Sequence, residues 1–440
     1  MSMMNDRPVR VLMLGWEYPP RFVGGLGKAS QGIARGLADL GAEVSFVLPR
    51  FRGRGEETRL RVGGAREWLL EHRAAPRAAA AATPLRWLDV AARLRPYARP
   101  QAAVSPGPRA GRGTIEPGDA EALYGSDLGR EVARFAERVA AMAARLRVDL
   151  VHAHDWMTFP AALAAAARLR VPLFLHVHST EYDRSGEGAD PAIAAVERMA
   201  CERADHVFAV SDYTRGVLVS RYGLDPARVS VVYNAPDAAE LPPPLPLGPG
   251  ARQPWVVFLG RLAFQKGPDH FLRAAAGVAR LHPRARFLVC GSGDMRQALQ
   301  ALAAELGITD RVEFRGFLAP GAVERLLARS SLLVMPSVSE PFGLVALEAL
   351  RAGTPVVLSR QSGVREVIGR SLQVDFWDHA RLADQILAVL RLPVLARQLV
   401  EEGREQLARL SWDESAQRVA EAYARVAGID VAARAQGGAA

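Results

Sequence analysis

Ser337-Val-Ser-Glu-Pro-Phe-Gly-Leu-Val-Ala-Leu-Glu348 follows Ser331-Leu-Leu-Val-Met-Pro336, an apolar run of the length expected for a buried parallel strand. A strand therefore runs directly into a helix at this point. Pro341 fits the first turn of a helix but not its interior, and Glu340 before it lies where unpaired backbone N–H groups and the positive end of the helix dipole point outward. Such a place suits a ligand rich in oxygen atoms. Eight helical positions from Glu340 to Glu348 rise about 12 Å, so the spacing predicts two carboxylates on one side of a helix. On spacing alone, the same acids could equally be solvated groups of an ordinary strand-turn-helix.

Working outward, 440 residues with 49% hydrophobic content suffice for two domains, each with its own core. The formal charge is +9, carried almost wholly by arginine, since Lys28 and Lys266 are the two lysines among 56 basic residues. Such a balance would suit anionic nucleotides, nucleic acid or acidic lipid, but arginine and alanine are spread through the chain as a general compositional bias would spread them. No nucleic-acid partner is expected. Cys201 and Cys290 are too few for a disulfide framework or a metal site and read as buried small hydrophobes. Val9 to Gly15 is too short an apolar core for a signal peptide, and no run of ~18 uncharged apolar residues occurs, so a soluble, cytoplasmic chain without a transmembrane segment is expected.

In the first half, Val9 to Gly15 reads as a buried strand, followed by Trp16-Glu-Tyr-Pro-Pro20 and by Gly24-Gly-Leu-Gly27 opening a helix from Lys28 to Leu40. Glycines between a strand and a helix let backbone N–H groups approach a phosphate, a mere tight turn being the alternative. Glu43 to Pro49 is a second strand. Arg50 to about Gly125 loses periodicity and reads as an irregular, mobile insertion, in which pieces around Trp68-Leu-Leu70 and from Trp87 to Leu94 could be strands or short helices. After a helix from Ser126 to Leu146, strands Val148 to His152 and Pro172 to His176 end in Ala153-His-Asp-Trp156 and Val177-His-Ser-Thr-Glu-Tyr-Asp-Arg-Ser-Gly186. Carboxyl ends of parallel strands are where open α/β sheets bind ligands. Four histidines there raise the idea of a metal, but no helical histidine pair or cysteine partner accompanies them, so none is expected. His176 is expected to face away from His178 and to be structural. Helix 191–204, strand 206–210, helix 212–222 and strand 229–233 complete a βαβ series, which predicts a doubly wound parallel sheet.

Ala235 to Pro254 is dense in proline and reads as a connector. Alternation restarts with strand Trp255 to Leu259 and Gly260-Arg-Leu-Ala-Phe-Gln-Lys-Gly-Pro268, where Arg261 offers a planar fork of donors and Lys266 a point charge, a pair suited to a pyrophosphate. Strands Ala285 to Val289 and Val312 to Arg315 lead into Gly291-Ser-Gly293 and Gly316-Phe317. The expected domains are 1–240, with the insertion at about 50–125, a linker 241–254, a second domain 255–410, a terminal helix 411–428 and a disordered tail 429–440.

Several of these stretches share a resemblance. Ser-Glu-Pro-Phe-Gly-Leu-Val-Ala-Leu-Glu resembles the donor-sugar motif of retaining nucleotide-sugar glycosyltransferases, in particular glycosyltransferase family 4 with its glycogen and starch synthase relatives. Trp-Glu-Tyr-Pro-Pro with Gly-Gly-Leu-Gly is similar to that family's N-terminal loop, and His-Ala-His-Asp-Trp to its acceptor-side motif. Val-His-Ser-Thr-Glu resembles the strand end carrying its active-site histidine. Gly-Arg-Leu with Gln-Lys-Gly resembles its donor-phosphate signature, and Ser362-Gly363 with Glu366 also matches. One departure is the pair Phe22 and Val23, where starch-type synthases using ADP-glucose carry a lysine before the glycines.

The resemblance implies the GT-B fold, an α/β architecture of two Rossmann-like doubly wound domains facing each other across a cleft. It implies metal-independent, retaining transfer of a hexose from a nucleotide diphosphate sugar to a hydroxyl acceptor, with glucose and an α-glucan first and no cofactor. In it His178 lies near the sugar C6 and the reacting centre, while Arg261 and Lys266 neutralise the departing diphosphate. Glu340 with the backbone N–H groups of Phe342 and Gly343 holds sugar hydroxyls beside Leu344, and Glu348 takes the ribose. Gly24, Gly25 and Gly27 approach the donor, Gly291 and Gly293 lie by its sugar and phosphates, Phe317 passes near the base, and Asp155, Trp156 and Glu181 touch the acceptor. A lipid-linked or small acceptor, with peripheral contact to an anionic membrane, is an enzymatic alternative. So is a sugar-nucleotide epimerase of the same fold, whose motifs do not appear. A non-catalytic sugar or nucleotide binder is the alternative of another class, against which the intact set of residues argues.

Overall fold

The computed structural model describes residues 7–19, 24–49, 60–64, 85–89, 128–236 and 252–431. Its first half runs β1 (Arg10–Leu14), α1 (Gly25–Asp39), β2 (Glu43–Leu48), β3 (Leu60–Gly64), β4 (Leu85–Asp89), α2 (Leu128–Ala143), β5 (Leu150–His154), α3 (Phe159–Leu169), β6 (Leu173–Val177), α4 (Glu181–Ser185), α5 (Pro191–Arg203), β7 (His206–Ala209), α6 (Asp212–Tyr222) and β8 (Val229–Val231). Its strands form one sheet in the order β3-β4-β2-β1-β5-β6-β7-β8, every pairing parallel. Strands with period two and helices on both sides bury both faces of the sheet. Leu12 and Leu14 of β1 accordingly join one apolar cluster with Val151, Ala153 and Leu175, while Val11 and Met13 join another with Phe46, Phe174 and Phe208.

The second half runs β9 (Gln253–Leu259), α7 (Pro268–Leu281), β10 (Arg286–Cys290), α8 (Arg296–Glu305), β11 (Val312–Gly316), α9 (Pro320–Arg329), β12 (Ser330–Met335), α10 (Leu344–Arg351), β13 (Val356–Ser359), β14 (Leu372–Val374), α11 (His379–Arg391), α12 (Pro393–Leu407) and α13 (Trp412–Ala427). These strands make a second, all-parallel sheet ordered β11-β10-β9-β12-β13-β14. In each sheet the order reverses beside its earliest strand, and ligand crevices open at such a switch point. Two doubly wound α/β domains are therefore present. Among the described residues no helix is long and apolar enough to cross a membrane.

Helix α13 leaves the second domain and packs on α1 of the first, burying Ala416, Val419 and Tyr423 in the cluster of β1 and β2. Gly32 and Gly36 of α1 make room for it: a Cβ on Gly32 would lie 2.1 Å from the Trp412 ring, and one on Gly36 2.5 Å from the Ala416 Cβ and 3.1 Å from the Trp412 carbonyl oxygen. Helix propensity alone would make Gly36→Ala stabilising by about 0.8–1 kcal/mol. Because backbone blocks one side of the new methyl, overpacking outweighs that gain, and a net loss of about 1–3 kcal/mol is expected in chemical denaturation.

Strands β5 and β6 end at His154 and Val177, one or two residues later than expected, β9 begins at Gln253 inside the expected linker, and four further differences bear on the site or the domain edges. Helix α1 begins at Gly25 rather than Lys28, so only Gly24 precedes it. The stretch 50–125 contributes two strands, and β4 takes up the piece around residue 87, whereas the piece at 68–70 lies outside the described residues. Ile429 and Val431 are buried against the first domain, so the segment expected to be a disordered tail from 429 is packed at least to 431, because two aliphatic side chains find apolar partners there. Helix α10 starts at Leu344, with consequences for Glu340 taken up next. Phe22, Val23, most of the proline-rich connector (237–251) and residues 432–440 fall outside the described residues.

Candidate active site

Glu340 is not on the helix with Glu348. Gly343 caps α10 with φ 113°, a conformation that side chains rarely adopt, and the chain bends at Pro341 before it. Glu340 instead forms a parallel bridge with Ser362: its N–H donates to the Gln361 carbonyl (2.9 Å), and its carbonyl accepts from the Gly363 N–H (2.8 Å). This framework aims the carboxylate at Lys266, whose Nζ donates to Oε1 at 2.8 Å and Oε2 at 2.7 Å, and Ser337 Oγ adds a bond to Oε2. Glu348, one turn into α10, accepts at Oε1 from Nζ of Lys28 on the opposing domain, at 2.6 Å. The two lysines of the chain thus hold the two acids of the stretch.

Arg261 follows β9 in a loop that is zipped to the loop after β10. Gly260 N–H donates to the Cys290 carbonyl at 3.0 Å and Leu262 N–H to the Ser292 carbonyl at 2.9 Å. Gly291 (φ 139°) and Gly293 (φ 158°) permit this approach, since a Cβ on either would lie within 2.3 Å of a carbonyl oxygen of the facing loop. Phe317, just beyond β11, is 57% exposed, while the Phe342 side chain is core, leaving only its backbone to a ligand. Gly25 and Leu344 bring the two domains together, a Cβ on the glycine falling 3.6 Å from the leucine Cδ1.

The start of α1, which the sequence offers to a phosphate, already has a carboxyl group beside it. Glu17 accepts the Gly27 N–H and lies against Gly24, where a Cβ would meet its Oε2 at 2.5 Å. Burial raises its pKa to about 7, opposed by Arg261 and the Gly27 bond. A carboxyl whose folded pKa stands above its unfolded value of 4.5 stabilises the fold fully below pH 4.5, and that contribution is lost as pH rises through about 7. Glu17→Gln, which imitates the neutral form, should therefore match the wild type in melting temperature at low pH and exceed it above pH 7. A constant difference across that range would show that Glu17 does not titrate there.

Burial also raises Asp155 to about 7. It has a left-handed backbone (φ 59°), and its Oδ1 accepts the N–H groups of His178 (2.7 Å) and Ser179 (3.3 Å). Its carboxylate thus pins the loop that carries His178 instead of reaching for an acceptor. Trp156 is 7% exposed and packs in the first domain's core, so it does not offer a sugar the open face expected of it. Glu181 is likewise engaged within its domain, by Arg184 Nε at 3.0 Å and Ser185 Oγ at 2.7 Å.

His176 and His178 do not face apart. Residues two apart on a strand share a face, and their rings lie 4.5 Å apart at 11°. His154 Nδ1 and His178 Nε2 share a hydrogen bond of 2.9 Å, and His152 Nδ1 bonds the Tyr423 hydroxyl of α13. Burial holds His152, His154 and His178 well below the usual range and His176 at about 3, so all four are neutral at physiological pH. Ring nitrogens of His152, His154 and His176 lie within 4.8 Å of one another, the ligand type of a zinc site. The sheet, by cross-strand register, gathers what the sequence argument sought on a helix.

A polar seam joins the domains beside these groups. Ser339 Oγ donates to Asp183 Oδ1 at 2.6 Å, Ser211 Oγ to the Pro341 carbonyl at 2.5 Å, and Glu366 accepts the N–H groups of Asp212 and Tyr213 at 2.8 and 2.9 Å, capping α6 from the other domain. The sequence reading overlooked Lys28, Glu17 and His154 as site residues. For Lys28 a signal existed in the scarcity of lysine; for Glu17 and His154, in their place inside Trp16-Glu-Tyr-Pro-Pro20 and Ala153-His-Asp-Trp156.

Residues 102–240 match Glycosyltransferase Family 4 and residues 247–406 match Glycosyl transferases group 1. The chain is 29% identical to a glycogen synthase of Mycobacterium tuberculosis, covering 95% of this chain and 94% of that one. It is 32% identical to a D-inositol 3-phosphate glycosyltransferase of Nocardioides, covering 71% and 75%. Among solved structures, the Anabaena protein HepE in complex with UDP-glucose superposes with a TM-score of 0.64 at 20% identity, covering 94% of this chain and 99% of that one. Two matched halves meeting at the cleft, with the family's motifs at the strand ends of both, place this chain in glycosyltransferase family 4, with the GT-B fold.

Proposed function

We propose that the protein is a retaining, metal-independent hexosyltransferase that moves glucose from a nucleotide diphosphate sugar to an α-glucan, as a glycogen synthase does. The observation that carries the reading is the pair Lys266 and Glu340, a cation and an acid from two loops of the second domain held at 2.7 Å, the first loop also carrying Arg261. In this reading the bond from the anomeric carbon to the diphosphate oxygen breaks, and its electron pair leaves with the diphosphate. Arg261 and Lys266 neutralise that charge, an electrostatic role filled by a metal ion in other transferases. The acceptor hydroxyl attacks from the same face and passes its proton to the departing oxygen. Glu340 positions sugar hydroxyls; held by Lys266 and Ser337, it acts without forming a covalent intermediate. Neutral His178, fixed by Asp155 and His154, lines the first-domain wall.

The glycogen synthase relative favours a glucan acceptor, and the UDP-glucose complex of HepE favours a nucleotide-sugar donor. A second reading, a small acceptor such as a polyol phosphate, is favoured by the burial of Trp156 and by the inositol phosphate relative. Incubation with UDP-, ADP- or GDP-glucose and glycogen, maltose, an inositol phosphate or a polyprenyl phosphate, with nucleotide diphosphate release as readout, separates these. Release with glycogen that persists under a chelator is the expected result. Release only with a small acceptor would select the second reading, and turnover lost to a chelator and restored by a divalent ion would overturn the metal-free mechanism. Release under no condition would favour a non-catalytic binder.

A further inference from the structure

Lys28 lies one turn into α1 of the first domain and Glu348 one turn into α10 of the second; their side chains are 21% and 18% exposed. The helices that carry them meet at their starts, where Gly25 faces Leu344. A partly buried ion pair of this kind could as well be built with arginine, which this chain uses almost everywhere else. Lysine differs in one respect. A guanidinium fork takes both oxygens of a carboxylate, whereas an ammonium is a point charge that can be content with one. Lys266 donates to both oxygens of Glu340, but Lys28 donates to Oε1 of Glu348 alone, leaving Oε2 to accept from another donor.

We propose that Lys28 is a positioning residue of the donor site: from the opposite domain it fixes the Glu348 carboxylate so that Oε2 accepts a ribose hydroxyl of the nucleoside diphosphate. The proposal rests on the reading above, in which Glu348 serves the ribose. It ties recognition of the nucleoside to contact between the domains, because half of the ribose-binding geometry is supplied across the cleft. By linkage, a bound nucleotide strengthens that contact as much as the contact strengthens nucleotide binding.

Calorimetric titration of the full chain tests it. UDP, ADP and GDP are titrated first, and the tightest of them is then compared with its 2′,3′-dideoxy analogue on the wild type, Lys28→Met and Lys28→Arg. The wild type should favour the ribonucleotide by about tenfold, the equivalent of one charge-assisted hydrogen bond. In Lys28→Met the ratio should fall towards one, with the loss confined to the ribonucleotide. Lys28→Arg, which keeps the charge and guards against a misfolded methionine variant, should lower the ratio as well, because its fork competes for Oε2. An unchanged ratio in both variants overturns the proposal while leaving the donor reading intact. Tighter ribonucleotide binding in Lys28→Met also overturns it, since Lys28 would then be an obstacle on Glu348. Failure of all three nucleotides to bind the wild type overturns the donor reading and this proposal together.

Discussion

Lys266→Ala is expected to lower kcat/KM by about 10³ or more, with the fold intact by circular dichroism. Two effects act in the same direction. In the proposed mechanism Lys266 stands where charge develops on the leaving diphosphate, and removing such a fixed cation costs about 10²–10³ in rate, as the loss of one preorganised donor does in other transfers. In addition, Glu340 loses the ammonium that bridges both its oxygens, and it is buried. An unpaired carboxylate left there repels the incoming diphosphate and is costly to hold in low dielectric. Glu340→Ala should lose activity too, but the double variant should lose less than the two single losses multiplied, because residues that share one interaction do not act independently. Full activity in Lys266→Ala would remove this lysine from the mechanism, and strictly multiplicative losses would mean that the pair does not act as a unit. Lys266→Arg should not restore the rate, since a planar fork cannot sit between Glu340 and a phosphate as a compact ammonium does.

Gly291→Ala is the second large effect, and it acts on the backbone. A Cβ there would fall 1.8 Å from the Gly260 carbonyl oxygen, and φ 139° is itself hostile to any side chain. No rotamer relieves a clash between main chains, so the loop bearing Arg261 must separate from the loop after β10. A loss of about 3 kcal/mol in chemical denaturation is expected, together with a fall in activity, because the guanidinium moves with its loop. Gly307→Ala is the control: it has a positive φ of 69° but open space at its Cβ, so it bears the conformational strain without the collision. Equal effects from the two substitutions would show that strain alone, and not the packing of the two loops, accounts for the loss.

Several elements were legible without coordinates because their causes are local. Helix α6, from Asp212 to Tyr222, shows its apolar period, a serine cap before it and a glycine after it, and the structure keeps those limits. The strand before Ser337 is readable as a buried run, and the glycines at 291 and 293 stand where a strand turns into a ligand loop. The errors also have physical sources. Proline suits a first turn and so predicts a helix at Glu340, but Gly343 and the bridge to Ser362 keep that residue outside α10, and a partner 22 residues away leaves no periodic trace. Asp155, Trp156 and Glu181 sit at the expected strand ends, yet their side chains turn towards the first domain's own loop, core and arginine, a choice made by packing around them.

The residues themselves determined the alternation of strands and helices outside 50–125, the two-domain α/β architecture and the places where ligand loops begin, because hydrophobic period, proline and glycine act over a few residues. Tertiary structure alone decided which charges meet. Lys28 and Glu348 are 320 positions apart, and Glu17 accepts the Gly27 N–H at the start of α1 although no periodic pattern links the two. A sequence period tells which face of an element is buried, but not what is buried against it. Lys28 and Glu348 meet through packing across the cleft, and Lys266 and Glu340, on which the proposed transfer depends, through the meeting of two loops of one domain; neither partner is written in a local period.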